Sequence, residues 1–485
     1  MNIIGMIDNI KKAVSVTGML LLGSTIFHGV GSAQNKSPNF IFILTDDQGW
    51  SHTSLGVDAL NPESKSDYYE TPNIDRIIRQ GISFTRGYAP AAICSPTRRS
   101  IQYGKTPARL GDETFKENYD PKLGNDILSI PMILKAADPN YRTAHYGKWD
   151  LRAGIFPEDL GYDESDGDTG NRHGNHFIHP DDKWNTVFIT NDPKRTVTLA
   201  HRSVNFIERQ VSNGNPFYLQ ISHYAPHVDI QSRRETYDKY LRKPRGLKHN
   251  NAGMAAMIED MDTSIGAVLD EVERLGIGEN TYIIIMSDNG PVEAIPQVRP
   301  ATRKLHHPDK FPFPLRSAPL RAGKWTLYEG GIRVPFLVKG PGINPGSISH
   351  EPVVGWDILP TLADLAGYSH PLPANLDGGS FAGIMKSDGE GSVPRSNDFL
   401  VFHRYHGGYG HSAVMQGDYK LIAFWNSGHV ELYNLAKDLG ERTEIASDYP
   451  DKVEVLFEKL TSYLMEVNPE LLESSFHANR ERWAR

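Results

Sequence analysis

Cys94 is the single cysteine of a 485-residue chain, and it lies in Ala89-Pro90-Ala91-Ala92-Ile93-Cys94-Ser95-Pro96-Thr97-Arg98-Arg99-Ser100. A serine able to cap and a proline suited to the first helical turn predict a helix starting near Ser95-Pro96. Cys94 then sits where backbone N–H groups favour anions, with Arg98 one turn further on. The same residues also fit a buried structural cysteine. A second set consists of hard oxygen donors, Asp46, Asp47, Asp288 and Asn289. These suit calcium, or less readily magnesium, and lack the sulfur and imidazole that favour zinc. Three carboxylates packed together repel one another unless a cation joins them. Asp46-Asp47-Gln48-Gly49 and Asp288-Asn289-Gly290 are each turn-rich, so either alone reads as a turn; together they read as a metal site.

The elements that carry these residues are apolar runs. Asn39 to Thr45, Phe217 to Ser222 and Thr281 to Ser287 are continuous hydrophobic segments, as expected of strands buried on both faces of a parallel sheet. They end in Asp46-Asp47, in His223 followed by Pro226-His227, and in Asp288-Asn289. Helical patterns at Ile127 to Ala137, Thr196 to Gln210 and Ala252 to Leu275 lie between them, which predicts an α/β sheet covered on both faces. Ligands of such sheets sit beyond the carboxyl ends of the strands, where all three runs place polar residues. From about residue 370 the segments shorten: Phe399–His403, Ser412–Met415, Tyr419–Phe424 and Val430–Tyr433 read as an antiparallel sheet, followed by a helix from about Asp451 to Glu466. The expected organisation is a leader at 1–33, a catalytic domain at 34–370 and a smaller α+β domain at 371–485. Pro291 to Ala322 and Asp163 to Asp182 read as long loops near the site.

A net charge of −8 gives no basic footprint for nucleic acid. Lys11-Lys12, the apolar stretch through Ile26-Phe27 and the small residues Gly31-Ser32-Ala33 have the order of a secretory signal. That stretch is too short and too interrupted for a stable membrane anchor. Export would make one unpaired cysteine unusual, since oxidising compartments favour paired thiols.

Cys94-Ser95-Pro96-Thr97-Arg98 resembles the Cys-x-Pro-x-Arg signature of the formylglycine-dependent sulfatases, of the alkaline phosphatase-like superfamily. The resemblance extends through Asp46-Asp47-x-Gly49, Gly147-Lys148-Trp149, Pro226-His227, Ser287 to Gly290, Gly323-Lys324-Trp325, Glu329 to Pro335 and Glu431 to Leu435. It implies a large domain with a mainly parallel central sheet sandwiched by helices, plus a C-terminal antiparallel sheet. It implies that a maturing, formylglycine-generating enzyme oxidises Cys94 to 3-oxoalanine, and that one Ca2+ is bound by Asp46, Asp47, Asp288 and Asn289. Arg98 would stabilise the attacking oxygen. Lys148 and Lys324 would hold sulfate oxygens, and His227 would bind sulfate or protonate the leaving alcohol. An anionic sulfate ester repels a nucleophile, so the reaction needs such positive charge, and a sugar alkoxide needs a general acid.

One position departs from the pattern. The family usually has Gly-Lys-Trp-His where this chain has Gly147-Lys148-Trp149-Asp150. A carboxylate there can accept a hydroxyl proton or orient a neighbour. His173, His176, Arg303, His306, His307, His403, Arg404 and His411 are expected in loops at the cleft mouth; singly each reads as a surface residue, together they suit a polar, anionic ligand. Trp184 and Trp425 could stack on a sugar, although core packing is the plainer role. The expected activity is that of an exported sulfatase acting on a sulfated saccharide. The alternatives are a phosphonate or phosphate monoester hydrolase of the same superfamily, and a catalytically impaired glycan-binding homologue, which Asp150 motivates.

Overall fold

The computed structural model describes residues 37–111, 128–174, 187–292, 317–404, 410–425 and 427–469. Eight strands form one sheet: β1 (Asn39–Thr45), β2 (Ile82–Phe84), β3 (Arg142–Gly147), β4 (Glu164–Ser165), β5 (Phe217–Ser222), β6 (Thr281–Ser287), β7 (Phe336–Lys339) and β8 (Ser347–Ser349). Their order is β8-β2-β7-β6-β1-β5-β3-β4. β1 is central and parallel to both neighbours, with Ile41 opposite Leu219 and Ile283. β3 continues the parallel run. β7 is antiparallel to β6 and to β2, so the sheet is mixed at that edge.

The alternation of side chains along each strand divides the core in two. Ile41, Ile43, Leu219, Ile221, Ile283 and Ile285 share a core with helices α1 (Pro72–Gln80), α4 (Thr196–Ser212), α5 (Arg234–Arg242) and α6 (Ala252–Arg274). Phe40, Phe42, Leu44, Tyr218, Ile284 and Met286 face the other layer, with α2 (Cys94–Tyr103), α3 (Ile130–Ala137) and α7 (Ile358–Leu365). Each buried side chain of this kind contributes about 1.5–3 kcal/mol relative to exposure. This two-sided burial is why the strands read as continuous apolar runs. Local caps set the helix starts: Asn251 Oδ1 accepts the Met254 N–H at 3.0 Å, and Gly104, at φ 63°, closes α2 with its N–H on Ser100 O at 2.9 Å.

A second sheet of four antiparallel strands follows: β9 (Leu400–Arg404), β10 (His411–Gln416), β11 (Tyr419–Phe424) and β12 (His429–Asn434). One face, with Val401, Val414, Leu421 and Leu432, packs on Leu456, Leu460 and Leu464 of α8 (Pro450–Val467). The other, with Phe402, Ala413, Ile422 and Tyr433, packs on Tyr88, Leu327, Ile332 and Trp356 of the large sheet's loops. The described residues from Ser37 onward form one compact unit. The architecture is the one the strand and helix pattern predicts: a mostly parallel sheet between helices and a small antiparallel sheet behind it. Residues 1–33, the expected leader, lie outside the described residues. No helix among the described residues is long and apolar enough to cross a membrane.

Candidate active site

Pairing of β1 with β6 puts Thr45 opposite Ser287, so two acidic loops leave the sheet side by side. Asp46 N–H donates to Ala225 O at 3.0 Å and Asp288 N–H to Thr45 O at 3.0 Å. Asp47, at φ 65°, turns back so that its N–H reaches Asp288 Oδ1 at 3.1 Å. Gln48 N–H is held by Ser287 Oγ at 2.8 Å. β3 delivers Lys148 from the other side, its N–H on Ser222 O at 2.7 Å.

Cys94 is the first residue of α2, one residue earlier than the capping pattern predicts. Ser95 does not cap; its hydroxyl donates to Asp150 Oδ2 at 3.1 Å. Thr97 takes over the tying of the entry: its Oγ1 accepts the Ala91 N–H and donates to Ala91 O, both at 3.1 Å. The N-cap position is Ile93, in an extended conformation with no side-chain bond.

One oxygen or sulfur atom from each of Asp46, Asp47, Cys94 and Asp288 lies within 4.8 Å of the others, all four residues being buried. Three cationic side chains close around them. Arg98 Nε and Nη2 donate to Asp288 Oδ2 at 3.0 and 2.7 Å, and its Nη1 to Lys148 O at 2.5 Å. Lys148 Nζ lies 2.8 Å from Asp46 Oδ2. Lys324 Nζ reaches Asp47 Oδ1 at 2.5 Å and Cys94 Sγ at 3.2 Å. Asn289 Nδ2 donates to Asp47 Oδ1 at 2.6 Å. His227 Nε2 is 3.8 Å from Asp47 Oδ2, while Nδ1 faces Val228 O.

Two buried oxygens, Asp47 Oδ2 and Asn289 Oδ1, have no hydrogen-bond partner. A buried acceptor left bare is costly unless a cation takes its lone pair. The donor set is four hard oxygens, from three carboxylates and an amide. The residues therefore fit a divalent, oxygen-seeking metal.

The electrostatics explain the protonation states. Burial pushes the Cys94 thiol far up, Asp288 pushing the same way against Lys148 and Lys324. Burial works to raise Asp46 and Asp47, yet Lys148 and Lys324 respectively hold both carboxyls below the usual range. Asp288 is raised, first by burial and then by Asp46. Burial lowers the His227 imidazole to about 4, so the ring is neutral at pH 7.

Asp150 sits in the left-handed region at φ 54°. Its Oδ1 takes Arg152 Nε at 3.2 Å, and Oδ2 lies 3.8 Å from Lys148 Nζ. Burial works against its charge, but Lys148, Arg152 and Arg98 keep the carboxyl below the usual range. Its carboxylate meets Ser95, Lys148 and Arg152, so it touches the residue after Cys94. Ser95 is the partner that the sequence did not reveal, because nothing in Cys-Ser-Pro separates a capping serine from one donating to a distant carboxylate.

His173 lies on the short turn Asn171–His173 and lines a cavity of about 340 Å³ with Asp150, Arg152, Asp168 and Arg172. Three other expected cleft residues are placed differently. His403, Arg404 and His411 are buried on paired strands, not in loops, with Arg404 opposite His411. His403 Nδ1 bonds Ser412 Oγ at 2.7 Å. His411 Nε2 accepts the Leu327 N–H at 3.0 Å and its ring stacks on Phe424. These side chains face neighbouring elements, and the alternation of the sheet decides that. Trp425 is buried core, its Nε1 on Ser412 Oγ at 2.8 Å. His176, Trp184, Arg303, His306 and His307 lie outside the described residues.

The family described as Sulfatase matches residues 38–368, and that described as N-sulphoglucosamine sulphohydrolase, C-terminal, matches 322–470. A sulfatase of Formosa agariphila is 30% identical, over 86% of this chain and 86% of its own length. Among solved structures, Ps i-CgsB in complex with k-i-k-neocarrahexaose is similar with a TM-score of 0.69 at 23% identity, covering 88% of this chain and 93% of that one. BT4656 in complex with its substrate D-glucosamine-2-N,6-O-disulfate is similar with a TM-score of 0.63 at 20% identity, covering 90% and 99%. With a family match over most of its length and a buried cluster of acids, lysines and arginine around Cys94, the chain belongs to the sulfatase family of the alkaline phosphatase-like superfamily and is a sulfuric ester hydrolase.

Proposed function

We propose that this protein is an exported sulfatase that removes O-sulfate from a carbohydrate, using formylglycine made from Cys94 by a maturing enzyme. The observation that carries the reading is the placing of Cys94 Sγ, 3.2 Å from Lys324 Nζ and 3.6 Å from Asp46 Oδ1, beside two bare buried oxygens. As a thiol this residue is a poor nucleophile, since burial keeps it protonated. The hydrated aldehyde would supply one hydroxyl to displace the alcohol from sulfur and a second whose deprotonation re-forms the aldehyde as sulfate is expelled. Calcium would be held by Asp46, Asp47, Asp288 and Asn289 and would supply positive charge for the sulfate oxygens.

The chain's own residues then have separate tasks. Lys148 and Lys324 exchange part of their carboxylate contacts for the sulfate oxygens, offsetting the charge that opposes attack. Arg98 is fixed by Asp288 and Lys148 O and faces the same cluster. His227 is neutral in the free protein; an arriving sulfate ester favours its protonated form, and Nε2 then delivers the proton to the leaving oxygen. Asp150 holds Ser95 and faces Lys148, which makes it an orienter of the nucleophile's helix start.

The saccharide reading is supported by the two similar structures that hold sugars and by the polar cavity beside Asp150. Its test is release of inorganic sulfate from a panel of defined sulfated saccharides, with 4-nitrophenyl phosphate and 4-nitrophenyl sulfate as controls. Preference for the phosphate ester would contradict it.

A further inference from the structure

A second buried charge cluster joins the C-terminal sheet to the segment that follows Lys324. Lys420 of β11 has its Nζ 2.9 Å from Glu329 Oε1 and 2.9 Å from Glu441 Oε1. All three residues are fully buried. Glu441 Oε2 accepts the Glu329 backbone N–H at 2.6 Å. Glu329 Oε2 takes the Tyr88 hydroxyl at 3.0 Å and Arg333 Nη1 at 3.1 Å. Taking three charges out of water costs several kcal/mol per ion, so such a cluster is a weak means of stabilising a fold. An apolar core would serve that end better.

What the cluster grips is informative. Glu329 opens the short helix Glu329–Ile332, which lies against the metal-ligand loop: Gly290 N–H donates to Gly331 O at 2.9 Å. The approach leaves no room, since a Cβ on Gly290 would lie 1.9 Å from Gly330 O. The same segment holds the chain leading to Cys94 through Ala89 N–H on Ile332 O at 2.8 Å. The preceding turn is tied to both neighbours, Lys324 N–H to Pro291 O and Trp325 N–H to Ala92 O, each at 2.8 Å. A further bond from the small sheet's side, Arg321 Nη1 to Tyr433 Oη at 2.7 Å, fixes the start of this turn.

We propose that Lys420 and Glu441, supplied by the C-terminal sheet and the chain that follows it, are positioning residues that set Lys324 and Asp288-Asn289 against Cys94 by way of Glu329. The proposal rests on reading Lys324 as a sulfate ligand and Asp288 and Asn289 as metal ligands. It gives the small sheet a part in the reaction, although neither residue touches the reacting atoms.

The test compares full-length Lys420→Met, Glu441→Gln and Leu421→Ala with the wild type. Leu421 is the next residue on the strand and faces the opposite core with Leu432 and Leu456, so its truncation weakens the sheet without touching the cluster. The readouts are Tm, kcat and KM for release of sulfate from 4-nitrophenyl sulfate, and Ca2+ affinity by calorimetry. Leu421→Ala is expected to lower Tm and leave kcat, KM and Ca2+ affinity unchanged. Glu441→Gln, which keeps the shape and the Lys420–Glu329 pair, is expected to lower kcat about 10- to 100-fold, as small misplacements of reacting groups do. Its Ca2+ affinity should fall as well. If Lys420→Met does not fold, Glu441→Gln decides. Wild-type kcat and Ca2+ affinity in the folded variants, or losses no greater than those of Leu421→Ala at equal Tm, would overturn the proposal. A wild type that binds no Ca2+, together with full turnover by Lys324→Ala, would instead sink the ligand reading on which it rests.

Discussion

Two buried charge clusters stand a few residues apart in this protein, and they are built to different ends. Around Cys94, Asp46, Asp47 and Asp288 meet Arg98, Lys148 and Lys324, yet Asp47 Oδ2 and Asn289 Oδ1 keep bare lone pairs. Around Lys420, one ammonium is shared by Glu329 and Glu441, and Tyr88 and Arg333 add donors to Glu329. The first cluster keeps acceptors that a cation can use. In the second, Glu441 Oε1 also makes no hydrogen bond, but the Lys420 ammonium lies 2.9 Å from it. Charge burial alone therefore does not mark a reactive site; the difference is that the leftover acceptor of the second cluster has an ammonium at ion-pair distance, while beside Cys94 Asp47 Oδ2 faces the neutral His227 ring at 3.8 Å.

The sharpest way to break this contrast is at the nucleophile. Cys94→Ala should abolish sulfate release, a loss of ~10³-fold or more measured by ion chromatography, while Tm changes little. Removal of the metal comes next. Dialysis against EGTA should lower Tm and stop turnover, and added Ca2+ should restore both, whereas Glu441→Gln should keep some Ca2+ response. An unchanged Tm in EGTA would mean that the bare oxygens do not hold calcium.

Asp150 should give a smaller effect. Asp150→Asn keeps the shape but loses the negative charge facing Lys148 and Arg152. A fall in kcat of about 10- to 100-fold is expected if orientation of the helix start is its task, with Ser95→Ala showing a similar fall. Wild-type rates in Asp150→Asn and Asp150→Ala would remove it from the mechanism.

The mildest effect is in pH. Burial lowers His145, His223, His227 and His403 to about 3, 4, 4 and 3. Their unfolded values are near 6.5, so below that pH the unfolded chain binds protons that the folded chain refuses. Stability is then fully present above about pH 6.5 and is lost as pH falls toward 4. Tm measured from pH 7 to pH 4.5 should decline steadily, and a flat profile would contradict the neutral burial of these rings.

Much of this was legible in the residues. The runs at 39–45, 217–222 and 281–287 are apolar throughout because helices cover both faces of the sheet, and the polar residues at their ends are the ones that converge. The Cys-x-Pro-x-Arg stretch could be read because its residue types are constrained by the chemistry. His403, Arg404 and His411 could not, since a histidine or arginine in a short strand carries no mark of which face it takes. The partners Ser95 and Asp150 are 55 residues apart, and no local pattern links them. Lys420 and Glu441 were equally silent, because a charged residue on a strand or in a turn ordinarily reads as solvated, and Glu329 stood out only as part of a shared motif.

The central claim is that Cys94 is a precursor, and mass spectrometry of the peptide containing it tests that most directly. Protein from a host with a maturing enzyme should carry the mass of an aldehyde at Cys94 and release sulfate, with activity proportional to the converted fraction. Full activity in protein whose Cys94 remains a thiol would contradict the account.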